Sequence, residues 1–351
     1  MRPFFLPKIM KLRYLLITLV TAVSLVILGS QFNWRELADA TRQMNPWYLL
    51  AGVFIYLSSI AARSARWGYM TNTIKPMRFA GLFQYVTLGF MTNNLLPARL
   101  GEVVRAYVTG KREHTSRSAM FASIVLERIF DGMVIVLLFL ITLFITGLNH
   151  PLLFHVAWVS SVVFAVGFGF LLLLTYRRST AMFITDKVLV FLPAPLREKI
   201  LSILNKFVRG LVLLHHPKAF VQVFFMSFVV WGAELLVYLV FFEAFGIEAP
   251  LKVAIIALVF VNLSSMLPAL PANALVFQVA CSEALTRFGG VSQGTALAYS
   301  VVLHATQILP VILLGYIFMG FLGLTWDELR HVDLQEEENN SAPAADTGTE
   351  G

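Results

Sequence analysis

The chain has 351 residues, of which 58% are hydrophobic and only 13% charged, against roughly 45–50% and about 25% in an ordinary globular domain. Apolar runs of the roughly 20 residues that cross a bilayer recur along its length, which excludes a cytosolic enzyme, a nucleic-acid-binding domain and a disulfide-stapled secreted module. The net charge of +7 sits in clusters between apolar runs, where it reports orientation, and the lone cysteine, Cys281, permits no internal disulfide and no multi-cysteine metal site.

The expected fold is all-α: a polytopic membrane helix bundle of about six full spans plus two broken or re-entrant segments. Residues 1–325 form the membrane domain and 326–351 an acidic, disordered tail. Arg2, Lys8, Lys11 and Arg13 precede the first apolar stretch, which reads as a retained span over 12–30. It is long for a cleaved signal, and no small-x-small site stands out near Ser30. Further spans are expected at 46–62, 119–148, 152–175, 219–245 and 294–323. Two other apolar segments are interrupted, 79–97 by Asn93, Asn94 and Pro97, and 253–288 by Pro268 and Pro271. Breaks of this kind are tolerated at membrane depth only where protein or water satisfies the freed backbone. Between the fourth and fifth spans, residues 176–218 carry Ile200, Leu204, Phe207 and Leu211 at helical spacing among basic residues, as in amphipathic helices on a membrane surface.

If the N-terminus is inside and both broken segments return to their own side, the inner face holds 4 basic residues before the first span, 9 in 63–118, 8 in 176–218 and Arg330. The outer face holds only Arg35, Arg42, Lys252 and Arg287. The positive-inside rule therefore puts both termini in the cytoplasm of a cell whose plasma (inner) membrane holds the protein. A weak internal repeat accompanies this pattern. Asn94-Leu95-Leu96-Pro97-Ala98 resembles Ser265-Met266-Leu267-Pro268-Ala269, each after a broken segment and before a long span, as in inverted repeats that place a binding site at the midplane.

Three groups of residues stand out. If Pro97 opens a helix, Arg99, Glu102 and Arg105 fall three apart on one face near free N-terminal amides, with Asn94 just before them. Arginines in such a place suit a phosphate-bearing headgroup; an interfacial ladder that only anchors the loop is the alternative. Within the third span, Glu127, Arg128 and Asp131 lie near mid-membrane, where a charge costs about 2.5–3.5 kcal/mol and must pair or line a wet cavity. Ser123, Glu127 and Asp131 share a face, and Arg128 reaches Asp131 at i+3. Arg128 is expected to be the more buried arginine and Arg105 the one nearer water. Glu234 in the fifth span has no basic neighbour within a turn; it is expected either to pair with Arg128 or His304 on another helix or to stay protonated through desolvation and take part in proton coupling. His304 shares a face of the last span with Gln307.

At these residues the chain resembles the membrane region of lysylphosphatidylglycerol synthases and the stand-alone flippase-like proteins that share it. Pro97-Ala98-Arg99-Leu100-Gly101-Glu102-Val103-Val104-Arg105 is similar to that family's P-x-R-x-G-E-x-x-R element, and Glu127-Arg128 with Asp131 to its E-R-x-x-D element. The second half departs from the family's P-x-x-P-G-G-x-G-x-x-E: Pro268-Ala269-Leu270-Pro271-Ala272-Asn273-Ala274 carries no glycine, Gln278 stands for the carboxylate, and His304 for an arginine. The resemblance implies a part that moves an aminoacylated phospholipid across the membrane; no soluble synthase domain is expected with it, so synthase activity is not implied.

The expected function is therefore a lipid flippase-like protein, binding or translocating a phospholipid or lipid-linked anionic headgroup without its own ATPase. Asn94, Arg99, Glu102 and Arg105 would hold the headgroup, and Glu127, Arg128, Asp131, Glu234, Gln278 and His304 would form a polar path. The alternatives are a non-transporting partner of a lipid-linked glycosyltransferase and a membrane-embedded transferase. Membrane lipids and a separate lipid-modifying enzyme or glycosyltransferase are the expected partners. No metal, cofactor or nucleic acid is expected, and no Walker A, H-E-x-x-H, G-x-S-x-G or Rossmann pattern occurs.

Overall fold

The computed structural model describes residues 34–96, 100–265, 273 and 275–330. The expected first span, Arg99, Pro97, Pro268, Pro271 and residues 331–351 of the acidic tail lie outside them; the first five residues of that expected tail, 326–330, are helical. Among the described residues there are helices and no strands: α1 (Trp34–Gln43), α2 (Pro46–Thr71), α3 (Phe79–Leu95), α4 (Leu100–Arg112), α5 (Arg117–Thr146), α6 (Pro151–Tyr176), α7 (Arg178–Val188), α8 (Ala194–Phe207), a 3-10 segment (Val208–His215), α9 (Pro217–Ala244), α10 (Leu251–Ser265), α11 (Val276–Gly289), α12 (Gln293–Phe321) and α13 (Trp326–Arg330). Five of them, α2, α5, α6, α9 and α12, are long and apolar enough to cross a membrane, matching five of the six expected spans. The second span is longer than expected. It runs through Arg63 and Arg66 to Thr71 instead of stopping at residue 62.

Local chemistry sets these boundaries. Asn45 caps α2 by accepting from Trp47 N at 3.1 Å, with Pro46 at the first helical position. Ser116 caps α5, which ends on Gly147 in the left-handed region. Phe144, Trp158, Val166, Phe225, Leu309 and Leu313 are exposed on the spans, the inverse of a soluble protein and the expected surface toward lipid tails. Polar residues are buried instead, among them Arg63, Arg66, Arg105, Glu127 and Asp131.

The two broken segments are helical hairpins that enter from opposite ends of the bundle. At one end, where α2 stops and α5 starts, Tyr85 Oη donates to Glu113 at 2.9 Å. There Lys75 donates to the Glu113 carbonyl, Lys111 pairs with Glu328 and Arg112 donates to the Leu322 carbonyl. Both arms of the α3–α4 hairpin thus end beside the finish of α12. At the other end His150, which caps α6, meets the Phe288 ring of α11 with centroids 5.4 Å apart. Segment 178–215 sits at the first end: a Cβ on Gly210 would press into Ala119 at the start of α5. There Arg197 clasps Asp186 bidentately and holds its carboxyl below the usual carboxylate range through that hydrogen bond.

The internal repeat extends over most of the bundle. A shift of 171 carries Pro46 of α2 onto Pro217 of α9, and a shift of 176 carries the first residues of α4 and α5, Leu100 and Arg117, onto those of α11 and α12, Val276 and Gln293. Packing obeys the same exchange. α3 pairs with α4 as α10 does with α11, α4 with α5 as α11 with α12, and α3 lies on α12 as α10 lies on α5. The two lead helices, α2 and α9, pack on each other along their lengths. This is the contact pattern of two copies related by a pseudo-twofold axis between α2 and α9, and hairpins opening at opposite ends make it an inverted one.

Candidate functional site

The site grows from α2. Arg66, fully buried, donates from Nη2 to Glu127 Oε1 at 2.9 Å and from Nη1 to Asp131 Oδ1 at 2.5 Å and Ser227 Oγ at 3.0 Å. One helical turn away Arg63 donates to Glu234 Oε1 at 2.8 Å and approaches Asp131 Oδ2 to 3.8 Å. Arg105 comes in from the hairpin arm α4. Its Nη2 lies 2.9 Å from Glu127 Oε2, and its guanidinium stacks 3.7 Å above the Trp67 ring. Arg128 pairs with Glu102 Oε1 at 3.2 Å and with Asp131 Oδ2 at 3.3 Å. Indole N–H groups complete the set, Trp231 to Asp131 at 3.1 Å and Trp67 to Ser123 at 3.0 Å.

The network joins four arginines to four carboxylates, so it is neutral as a whole, which is what allows charges to persist out of water. Whereas Nε of Arg128 faces Glu102 Oε1, Nε of Arg63, Arg66 and Arg105 has no hydrogen bond among the described residues. Buried donors in that state are where a polar guest or ordered water is accommodated.

Several expectations change here. Arg105 is the buried arginine, with a side chain 3% exposed, and Arg128 the accessible one at 27%, the reverse of their expected order. The reason is that α4 is the inner arm of a hairpin tucked against α5, so a residue that looks interfacial in sequence lies inside protein. Glu234 pairs neither with Arg128 nor with His304. It takes Arg63, Ser59 Oγ at 2.9 Å and Gln307 at 3.3 Å. Glu102 and Arg105 share a helix but diverge, one to Arg128 and the other to Glu127. Asn94 is half-buried on the last turn of α3, and its neighbour Asn93 accepts from Gly101 N at 2.9 Å. Glu127, Arg128 and Asp131 do come together as expected.

Sequence reasoning missed Arg63 and Arg66. A charge count takes both for loop residues, yet no glycine or proline separates them from the apolar run. Small residues surround them in Ser58-Ser59-Ile60-Ala61-Ala62-Arg63-Ser64-Ala65-Arg66, a stretch suited to close helix contact.

In the second half the repeat returns with most of its charges removed. Gln278, the third residue of α11, holds His304, the twelfth of α12, at 3.0 Å. Glu102, third in α4, holds Arg128, twelfth in α5, at 3.2 Å. Asp131 corresponds to Gln307, Glu127 to Leu303, and Arg105 to Cys281. The bond from Trp67 to Ser123 is answered by one from Tyr299 Oη to the Tyr238 carbonyl at 2.8 Å. Arg63 corresponds to Glu234, so the ion pair between them crosses the pseudo-twofold axis. Cys281 is fully buried. In native membranes a maleimide should therefore leave it unlabelled from either side, and full labelling should appear only after denaturation; rapid native labelling would place α11 elsewhere.

The apolar groove of about 380 Å³ between α5 and α6, lined by Leu140, Phe154, Ala157, Trp158 and Ser161 among others, has no charged lining and offers nothing to a headgroup. No group of three or more His, Cys, Asp or Glu side chains able to hold a metal ion occurs among the described residues.

Comparison with known proteins agrees with this architecture. A UPF0104 membrane protein of Methanothermobacter thermautotrophicus is 25% identical over 311 residues, covering 84% of this chain and 90% of that protein. The glycosyltransferase AglD of Haloferax volcanii is 24% identical over 318 residues, covering 82% of this chain and 51% of that protein. No solved structure matches. The model of the lysylphosphatidylglycerol synthase TM region matches residues 14–315, and the chain, an integral membrane protein, belongs to that family.

Proposed function

We propose that the protein binds the headgroup of an anionic lipid at the Arg128–Glu102 pair and carries it between leaflets without ATP. The observation that supports this best is the position of that pair. It is the accessible margin, 27% and 19% exposed, of an otherwise buried charge network at the inner arm of one of two oppositely entering hairpins. A purely structural network gains nothing from leaving an arginine open, whereas a headgroup crossing hydrocarbon needs a counter-charge. The basic residues around 63–118 and 176–218 favour the cytoplasmic side for the α3–α4 hairpin.

The test is leaflet exchange of headgroup-labelled lipids, phosphatidylglycerol and a polyprenyl phosphate included, in liposomes holding the purified protein. Exchange above that of empty liposomes is expected, and Arg128→Gln should lower it about tenfold or more, the cost of one charge-assisted contact, while the protein stays folded and monodisperse. Exchange that is absent, or untouched by Arg128→Gln, would refute this function. The match to AglD, which extends over about half of that protein, favours one second reading: a membrane unit that holds a lipid-linked substrate for a glycosyltransferase. Binding of polyprenyl phosphate without exchange would favour it.

A further inference from the structure

Resting on the translocation reading, the pseudo-symmetry narrows the cargo. The pairs Glu102–Arg128 and Gln278–His304 occupy the same positions of equivalent helices, are each 26 residues apart in sequence and make the same contact. One lies on the hairpin entering from the end where α5 starts, the other on the hairpin entering from the opposite end. If a headgroup meets the first pair on one side of the bundle, the exchange of the two halves brings it to the second pair on the other.

The second pair is an amide and an imidazole. Gln278 Oε1 accepts from Leu275 N at 2.9 Å, which orients the amide so that its Nε2 donates to His304 Nδ1 at 3.0 Å. Phe277 stacks on the same imidazole at 4.0 Å. The second contact is therefore an amide and an imidazole on an aromatic floor, with no carboxylate. Glu234 is already committed to Arg63, and Glu283 to Arg287 one turn further along α11. Amide N–H donors such as those of Gln278 meet phosphate oxygens and hydroxyls. They leave an ammonium without a counter-charge.

We infer that the cargo headgroup is a phosphate bearing neutral hydroxyl groups and no fixed positive charge, selected at Gln278 against aminoacylated lipids. The experiment compares headgroup-labelled phosphatidylglycerol with lysylphosphatidylglycerol in liposomes of phosphatidylcholine containing the full chain. Phosphatidylglycerol should exchange at least about tenfold faster, as expected for an unmatched intramembrane ammonium. Gln278→Glu keeps the oxygen that accepts from Leu275 N, so the helix start survives, and it should remove or invert that ratio. Equal exchange of the two lipids, or a ratio unchanged by Gln278→Glu, overturns the selection while leaving translocation standing. If neither lipid exchanges, translocation itself fails, and equilibrium binding of the dihexanoyl forms to detergent-solubilised protein decides the selection alone. Preference for phosphatidylglycerol that Gln278→Glu abolishes upholds it; equal binding, or none, overturns it.

Discussion

Arg66→Ala should destroy the folded protein, whereas Arg128→Ala should leave it folded. Arg66 is fully enclosed and serves Glu127, Asp131 and Ser227 at once. Its removal strands two carboxylates with weaker remaining partners, and breaking a buried ion pair by deleting one side costs about 3–5 kcal/mol, a large share of any domain's stability. Arg66→Lys should fall between, since one ammonium cannot fork to both carboxylates. Arg128 is partly exposed, and its deletion leaves Arg66 and Arg63 beside Asp131, so its stability cost should be nearer about 1 kcal/mol. Thermal unfolding followed by size-exclusion chromatography in detergent reads both. A monodisperse Arg66→Ala protein with the parent's unfolding temperature would show that the network does not hold the bundle together.

Gly101→Ala should be nearly as damaging, although it adds a single methyl. Where α3 and α4 cross, a Cβ at Gly101 would press on the Gly89 carbonyl oxygen and come within 2.6 Å of Asn93 N. Both obstacles are backbone, so no side chain can swing aside and the hairpin must splay. Glu102 and Arg105 ride on that arm, so splaying also weakens their pairs with Arg128 and Glu127. Overpacking alone costs typically 1–3 kcal/mol, and the loosened pairs add to it, for an expected total of more than about 3 kcal/mol. Gly232→Ala is the matched control, because nothing lies within 4 Å of a Cβ there; in a helix it should be neutral or slightly stabilising. Equal unfolding temperatures for the two variants would mean that the close crossing is not required.

Composition and hydropathy by themselves determined that this is a helical membrane protein, where five of its long helices lie, and that two apolar segments turn back. A bilayer accepts only backbone that bonds within its own segment, so apolar run length maps directly onto spans. The charged residues of α5 were also legible, because Glu127, Arg128 and Asp131 interrupt an unambiguous span and have to be paired. Arg63 and Arg66 were not. An arginine near the end of a span looks the same in sequence whether it faces water or a carboxylate on another helix, and only the packing of α2 against α5 and α9 decides which. The same holds for the exchange of roles between Arg105 and Arg128, for the Arg63–Glu234 pair and for the correspondence of Gln278–His304 with Glu102–Arg128. Each depends on partners far apart in the chain, brought together by two degenerate copies of one fold that pack across an axis. Side chains in the second copy have diverged too far for their equivalence to be read before the helices are superposed.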